Sequence, residues 1–194
     1  MNTKLLQNSS RSSFRWKPES NNRNAHRQKF LDCSVKIGDN KLDTFRDSPD
    51  ITIKSSQKRV TIYSKKIEKL IHKILSLENV TLNKQSQITI CLVNDNCIKK
   101  LNRQYLHKNS PTDVLCFDLS DTKGLKNMTA DIIISTDTAI RNSKIFKTTP
   151  MYELFLYITH GVLHLLGYDD KTQKQRNAMH KRSLEILDTL TTNH

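Results

Sequence analysis

Cysteine is scarce in this chain, with four in 194 residues, at positions 33, 91, 97 and 116. No two are separated by two residues, which excludes a zinc knuckle and a thioredoxin-like redox pair. Cys91 and Cys116 lie in apolar runs, where a thiol serves as a small core residue. Without a disulfide framework the chain suits a reducing compartment. No run of about 18 uncharged apolar residues is present, so no transmembrane helix is expected. The best candidate, Met151 to Tyr168, is broken by Glu153, His160 and His164. The start has no charged segment followed by an apolar core, so no secretory signal is expected either. Apolar residues make up only 36% and mean hydropathy is −0.61. Part of the chain is therefore expected to be unfolded. Acids are the other deficit, 19 against 32 Lys and Arg, for a net charge of +13. That surplus favours a polyanionic partner, either nucleic acid or an anionic membrane surface.

Residues 1–30 hold seven of the basic residues (Lys4, Arg11, Arg15, Lys17, Arg23, Arg27, Lys29) and one acid, Glu19. Serine and asparagine fill much of the rest, and the few apolar residues show no period. Residues 1–50 are expected to be a basic, disordered extension, either a solvated tail or an arm for phosphates. An Arg- and Ser-rich, acid-poor segment also has the composition of an organellar transit peptide. The folded domain is expected over 51–194. Strands are read at Ile51–Ile53, Ile88–Val93, Val114–Leu119 and Ile132–Ser135 from their β-branched runs. A helix from Ser64 to about Leu77 carries Ile67, Leu70, Ile71, Ile74 and Leu75 on one face. Asn94 or Asp95 caps a second helix to about Tyr105. Thr136 to Lys147 reads as a third. Pro150 opens a fourth that Gly167 stops. A fifth runs from about Lys171 to Leu190. The expected fold is α+β, one mixed sheet of about four strands packed with about five helices.

The chemistry concentrates at His160-Gly161-Val162-Leu163-His164-Leu165-Leu166-Gly167-Tyr168-Asp169-Asp170. Histidines four apart on a helix share a face. Gly167 turns the chain, so that Asp170 can return as a third ligand. His-x-x-x-His-x-x-Gly-x-x-Asp is the spacing of a three-ligand zinc site with an open position, the catalytic kind. Such an ion makes water more acidic near neutral pH. A histidine pair alone is a weak signal, since helical pairs also arise incidentally. The glycine stop and the correctly placed carboxylate strengthen it. Asp169 is the alternative third ligand, and the offset favours Asp170. In zinc peptidases the residue after the first histidine is a glutamate base. Here it is Gly161, which argues against peptide hydrolysis.

This segment resembles the signature of the YbeY family of metal-dependent endoribonucleases, His-Gly-x-Leu-His-Leu-x-Gly-Tyr-Asp-His, at every fixed position but the last. Pro111-Thr112-Asp113-Val114-Leu115-Cys116-Phe117, preceded by Leu101-Asn102 and Tyr105, is similar to a second family block. Ala130-Asp131-Ile132-Ile133-Ile134-Ser135 is similar to a third. The resemblance covers about residues 51–190. It implies a single-domain α+β fold, zinc, and a basic cleft for single-stranded RNA near the 3′ end of small-subunit rRNA, on the ribosome and in the cytoplasm. His160, His164 and Asp170 are the ligands it implies. Where the family has His this chain has Asp170, and a carboxylate is the harder ligand and tolerates manganese better. Leu106 stands where the family usually has an Arg important for catalysis. Arg103 and Lys108 are the weak candidates to replace it, Arg103 being one helical turn before Leu106.

The function expected is hydrolysis of phosphodiesters in single-stranded RNA during late ribosome quality control and 16S rRNA maturation. Thr112, Asp113 and Ser135 are candidate substrate contacts. Their ordinary readings are turn formation and helix capping. Tyr168 would either stack on a base or pack over the metal helix. Lys65, Lys66, Lys69 and Lys73 form a basic helix face, more often solvated than bound. The alternative class is an rRNA-binding assembly factor that keeps the metal site with weakened catalysis, motivated by Leu106. A hydrolase acting on another substrate and an adaptor working through the last helix are further readings.

Overall fold

The computed structural model describes residues 15–16, 48–120 and 126–191. The extension expected at 1–50 and its transit-peptide alternative fall almost wholly outside these residues, as does most of the loop around 121–127. In chain order the elements are β1 (Arg15–Trp16), β2 (Asp50–Ser55), α1 (Ser64–Leu77), β3 (Gln87–Val93), α2 (Asp95–Leu106), β4 (Val114–Asp118), β5 (Thr129–Ser135), α3 (Thr136–Phe146), α4 (Pro150–Leu165) and α5 (Gln173–Thr191). From β2 onward this is the order read from the sequence. The backbone of Arg15–Trp16 adds a two-residue strand at the sheet edge, where a polar, aperiodic segment gives no strand signal.

The sheet runs β1-β4-β5-β3-β2. Strands β2, β3 and β5 are parallel, and β4 is antiparallel to β5. Residues alternate between the faces of a strand, and here both faces are covered. Ile88, Ile90, Leu92, Val114, Cys116, Ile132 and Ile134 face the larger core, which α1, α4 and α5 complete. Cys91, Val93, Leu115, Phe117 and Ile133 face the other side and pack with Cys97, Ile98 and Leu101 of α2. Burial on both faces explains why these strands read as nearly continuous apolar runs. Ile67, Leu70, Ile71, Ile74 and Leu75 are all buried on α1. At about 2 kcal/mol for each buried aliphatic side chain, that stripe stabilises the fold by an upper limit of about 10 kcal/mol.

Side-chain caps start four of the five helices; α1 has none, and Ser64, which the sequence offers as its cap, is instead its first residue. Asn94 accepts from the Cys97 amide at 2.9 Å, and Ser135 and Thr149 accept from Thr138 and Tyr152, each at 3.1 Å. Thr172 and Gln175 bond each other's amide reciprocally at the start of α5, a capping box.

At the carboxyl ends of β3 and β5 the starts of α2 and α3 exchange carboxylates. Asp137 accepts from the Asp95 amide, and Asp95 accepts from Ser135 Oγ, Thr138 Oγ1 and Arg141. Burial pushes the Asp95 carboxyl up, but the hydrogen bonds from Ser135, Arg141 and Thr138 outweigh it and hold the group below its ordinary value. A carboxyl depressed in the folded state stabilises above its unfolded pKa, and that contribution disappears as pH falls through the folded value. Asp95→Ala is therefore expected to cost about 2 kcal/mol at neutral pH. Urea melts should show the difference from the parent shrinking only below about pH 4.

Gly161 lies where α4 crosses the sheet. A Cβ there would stand 2.9 Å from Ile132 Cγ2 and 3.1 Å from Cys116 Sγ. Both neighbours are buried strand side chains with little room to move. The glycine is thus a packing requirement, and a glutamate at this position has no space. Gly161→Ala gains about 1 kcal/mol in helix propensity but overpacks by about 1–3 kcal/mol. A net loss of up to about 2 kcal/mol is expected in chemical denaturation, and a stabilised variant would contradict the close approach.

Candidate metal centre

His160 and His164 occupy the last two turns of α4. Their rings meet edge to face with centroids 4.9 Å apart. The helix then ends in a Schellman motif, with the Gly167 amide donating to His164 O at 3.1 Å and the Tyr168 amide to Leu163 O at 3.0 Å. Gly167 has φ +103°, the left-handed region that favours glycine. This reversal carries Asp170 back over the helix end. One donor atom each from His160, His164 and Asp170 lies within 4.8 Å of the others.

The donors fit a metal ion on two counts. His164 Nδ1 lies 3.0 Å from Tyr168 O. A carbonyl only accepts, so Nδ1 carries a proton, which leaves Nε2 as the ring atom that can serve as a ligand. That Nε2 stands 3.6 Å from Asp170 Oδ2. That separation suits two ligand atoms of one ion. Tetrahedral zinc with bonds of about 2.1 Å separates neighbouring ligands by about 3.4 Å. Secondly, two imidazoles and one carboxylate form an open, three-ligand set. Asp169 is directed elsewhere: it accepts from the Asp170 amide at 2.8 Å and pairs with Lys171 at 2.9 Å. The Lys171 hydrogen bond is the main influence holding its carboxyl below the ordinary range.

A second layer fixes the turn. The Tyr168 hydroxyl donates to Glu78 Oε2 at 2.9 Å, just past the end of α1. Arg182 of α5 donates to the other Glu78 oxygen at 2.8 Å and to Leu77 O at 3.2 Å. Burial, then the Glu78 hydrogen bond, push the Tyr168 phenol up, so it stays neutral and donating. Tyr168 is partly buried and packs against the core. Arg176 donates to Asp170 O at 2.8 Å. Glu78 and Arg182 escaped the sequence reading. They stand 90 and 104 residues from their partners, and neither lies in a motif. Outer-layer partners of metal ligands are worth about 10–100-fold in affinity. Tyr168→Phe acts one bond further out, so a loss of about threefold to tenfold in metal affinity is expected, with little change in melting temperature. Competition titration against a chelator measures it.

The remaining candidates are dispersed. Arg103 is exposed in the last turn of α2, and Lys108 is exposed just beyond it. Leu106 packs with Tyr105 onto the core on the α2 side of the sheet, the face opposite α4. Thr112 is half-buried and donates to Asp113 Oδ1 at 3.1 Å. Asp113 is buried and caps the start of β4 through the Val114 amide. Ser135 is fully buried at the start of α3, bonded to Asp95.

Residues 52–191 match the family model described as Endoribonuclease YbeY. The chain belongs to the YbeY family. An Endoribonuclease YbeY of Carboxydothermus hydrogenoformans is 35% identical over 126 residues, covering 63% of this chain and 87% of that protein. One from Syntrophus aciditrophicus is 32% identical over 147 residues, covering 73% of this chain and 90% of the relative. One from an Anaeromyxobacter species is 39% identical, over 52% of this chain and 53% of that protein. A solution structure from Thermotoga maritima is 29% identical, covers 74% of this YbeY-family chain and 93% of its own, and has a TM-score of 0.48. Among the described residues no helix is long and apolar enough to cross a membrane.

Proposed function

We propose that this YbeY-family protein is a zinc-dependent endoribonuclease that hydrolyses phosphodiesters in single-stranded RNA. Its substrate would be small-subunit rRNA near the 3′ end, cleaved on the ribosome in the cytoplasm, where the bacterial relatives suggest it works. The observation that carries the reading is the convergence of His160, His164 and Asp170 at the turn after α4, in a chain of this family. A divalent ion held there would polarise a phosphoryl oxygen and raise the acidity of water. The chain's own residues do the rest. The Tyr168 carbonyl keeps the His164 lone pair turned toward Asp170. Arg103 and Lys108 are exposed cations for flanking phosphates, so affinity falls steeply with salt. Thr112 offers a hydroxyl at the surface. Asp113 and Ser135 act from within, by holding the ends of β4 and β5.

Metal analysis of the purified protein, with cleavage of a single-stranded RNA assayed beside it, tests the proposal. One zinc per chain and metal-dependent cleavage are expected. Zinc bound with no cleavage of any RNA would overturn the nuclease reading. It would favour the second reading, an rRNA-binding assembly factor with weakened catalysis. Leu106 supports that second reading, because its half-buried side chain packs against the core where the family usually presents a cation.

A further inference from the structure

Helix α1 is not used by the metal centre except at its end. Its buried face is fully committed to the core. Its outer face carries Lys65, Lys66 and Lys69 exposed, with Lys73 half-buried one turn further on. Lys69 lies four residues after Lys65 and three after Lys66, and Lys73 four further on, so the side chains form one stripe along the helix. Glu68 lies three residues after Lys65, and yet among the described residues no ion pair involves any of these four lysines. Two basic side chains of α5 contrast with this. Arg182 is paired with Glu78 and Glu185, and Lys181 with Glu185. Four like charges left uncompensated on one helix repel one another, and an outside polyanion relieves that repulsion.

A second, independent feature stands at the start of this stripe. Tyr63 is 51% exposed, one of two large apolar side chains exposed among the described residues. Its side chain makes no cap bond to the helix that it precedes. Lys66 Nζ lies over the ring, 5.1 Å from its centroid. An exposed aromatic face flanked by cations is the pairing that takes an unstacked base and its phosphate. The far end of α1 is tied to the metal turn through Glu78 and Tyr168. Over 14 residues, at about 1.5 Å per residue, the helix spans about 20 Å between Tyr63 and that end.

We propose that the outer face of α1 is a second RNA contact, a track on which single-stranded RNA outside the scissile segment lies. Lys65, Lys66, Lys69 and Lys73 hold its phosphates and Tyr63 stacks on a base. The proposal rests on the nuclease reading for its substrate, though not on cleavage itself. It makes binding depend on strand length, because a short oligonucleotide at the metal centre does not reach Tyr63.

The test uses the full chain and two fluorescent single-stranded RNAs, one of about 6 and one of about 25 nucleotides, in fluorescence anisotropy over a salt series. Changing Lys65, Lys66, Lys69 and Lys73 to Gln together should weaken binding of the long RNA and lower its salt slope by about 2–3, since each phosphate contact contributes about 0.7 for single strands. Tyr63→Ala should weaken the long RNA by about tenfold with the slope unchanged. Both variants should treat the short RNA as the parent does. Circular dichroism melts check that α1 is intact, and Lys→Arg at the same four positions should restore the slope. An unchanged affinity and slope for the long RNA in the folded quadruple variant would overturn the proposal. So would loss of sedimentation with phosphatidylserine vesicles in that variant alongside unchanged RNA binding, which would assign the stripe to a membrane surface. If the parent cleaves neither RNA while the length-dependent defect appears, the nuclease reading fails and the track stands.

Discussion

His164→Ala is expected to lose metal binding and RNA cleavage together. Closed structural zinc sites hold the ion by roughly 10–16 kcal/mol over four ligands, so one ligand carries on the order of 3 kcal/mol, or about 100-fold in affinity. Cleavage should fall by at least that factor. His164 is 3% exposed, so its truncation also leaves a cavity worth about 2 kcal/mol of fold stability. His160 is half-buried, and His160→Ala should lose the ion with a smaller shift in melting temperature. Zinc titration of the stripped protein, run beside a thermal melt, separates the two effects. Parental zinc affinity in both variants would remove the ion from this site, whatever happened to cleavage.

The contrast between these two histidines shows what was legible in the sequence and what was not. Their shared helix face, the glycine stop and the returning aspartate are all local, within eleven residues. Helical period and the left-handed preference of glycine suffice to place them. The strands and helices from Ile51 onward are legible from local signals too: β-branched runs for the strands, and apolar period or capping residues for the helices. What was not legible is the support. Glu78 holds Tyr168 across 90 residues of chain, and its position in the sequence is that of any glutamate at a helix end. In the sequence Gly161 signals only the absence of a base. The structure adds a steric cause, because Ile132 and Cys116 close the space that a side chain would need. Ser135 shows the opposite outcome. Its hydroxyl was open to two readings, and only the packing of α3 against the start of α2 puts it with Asp95. Long-range partners are fixed by the fold, and a single sequence carries no periodic signal for them.

The departure at Asp170 leads to the second large effect. Asp170→Ala should lower zinc affinity by about 100-fold, as for any one of three ligands. Asp170→His should retain zinc and shift the preference among metals. Imidazole suits zinc, whereas a carboxylate also suits manganese. The ratio of zinc to manganese affinity should therefore rise by at least about tenfold in the histidine variant. The substitution is a fair test because the residue's backbone is held by other groups. Its amide donates to Asp169 Oδ1, and its carbonyl accepts from Arg176. Neither contact involves the side chain being exchanged. Competition titrations of the stripped protein with the two metals measure the ratio directly. A ratio equal to the parent's would mean that Asp170 does not reach the ion, and that the 3.6 Å approach to His164 is an ion pair of the turn. A raised ratio with cleavage preserved would show that the aspartate sets which metal the site accepts.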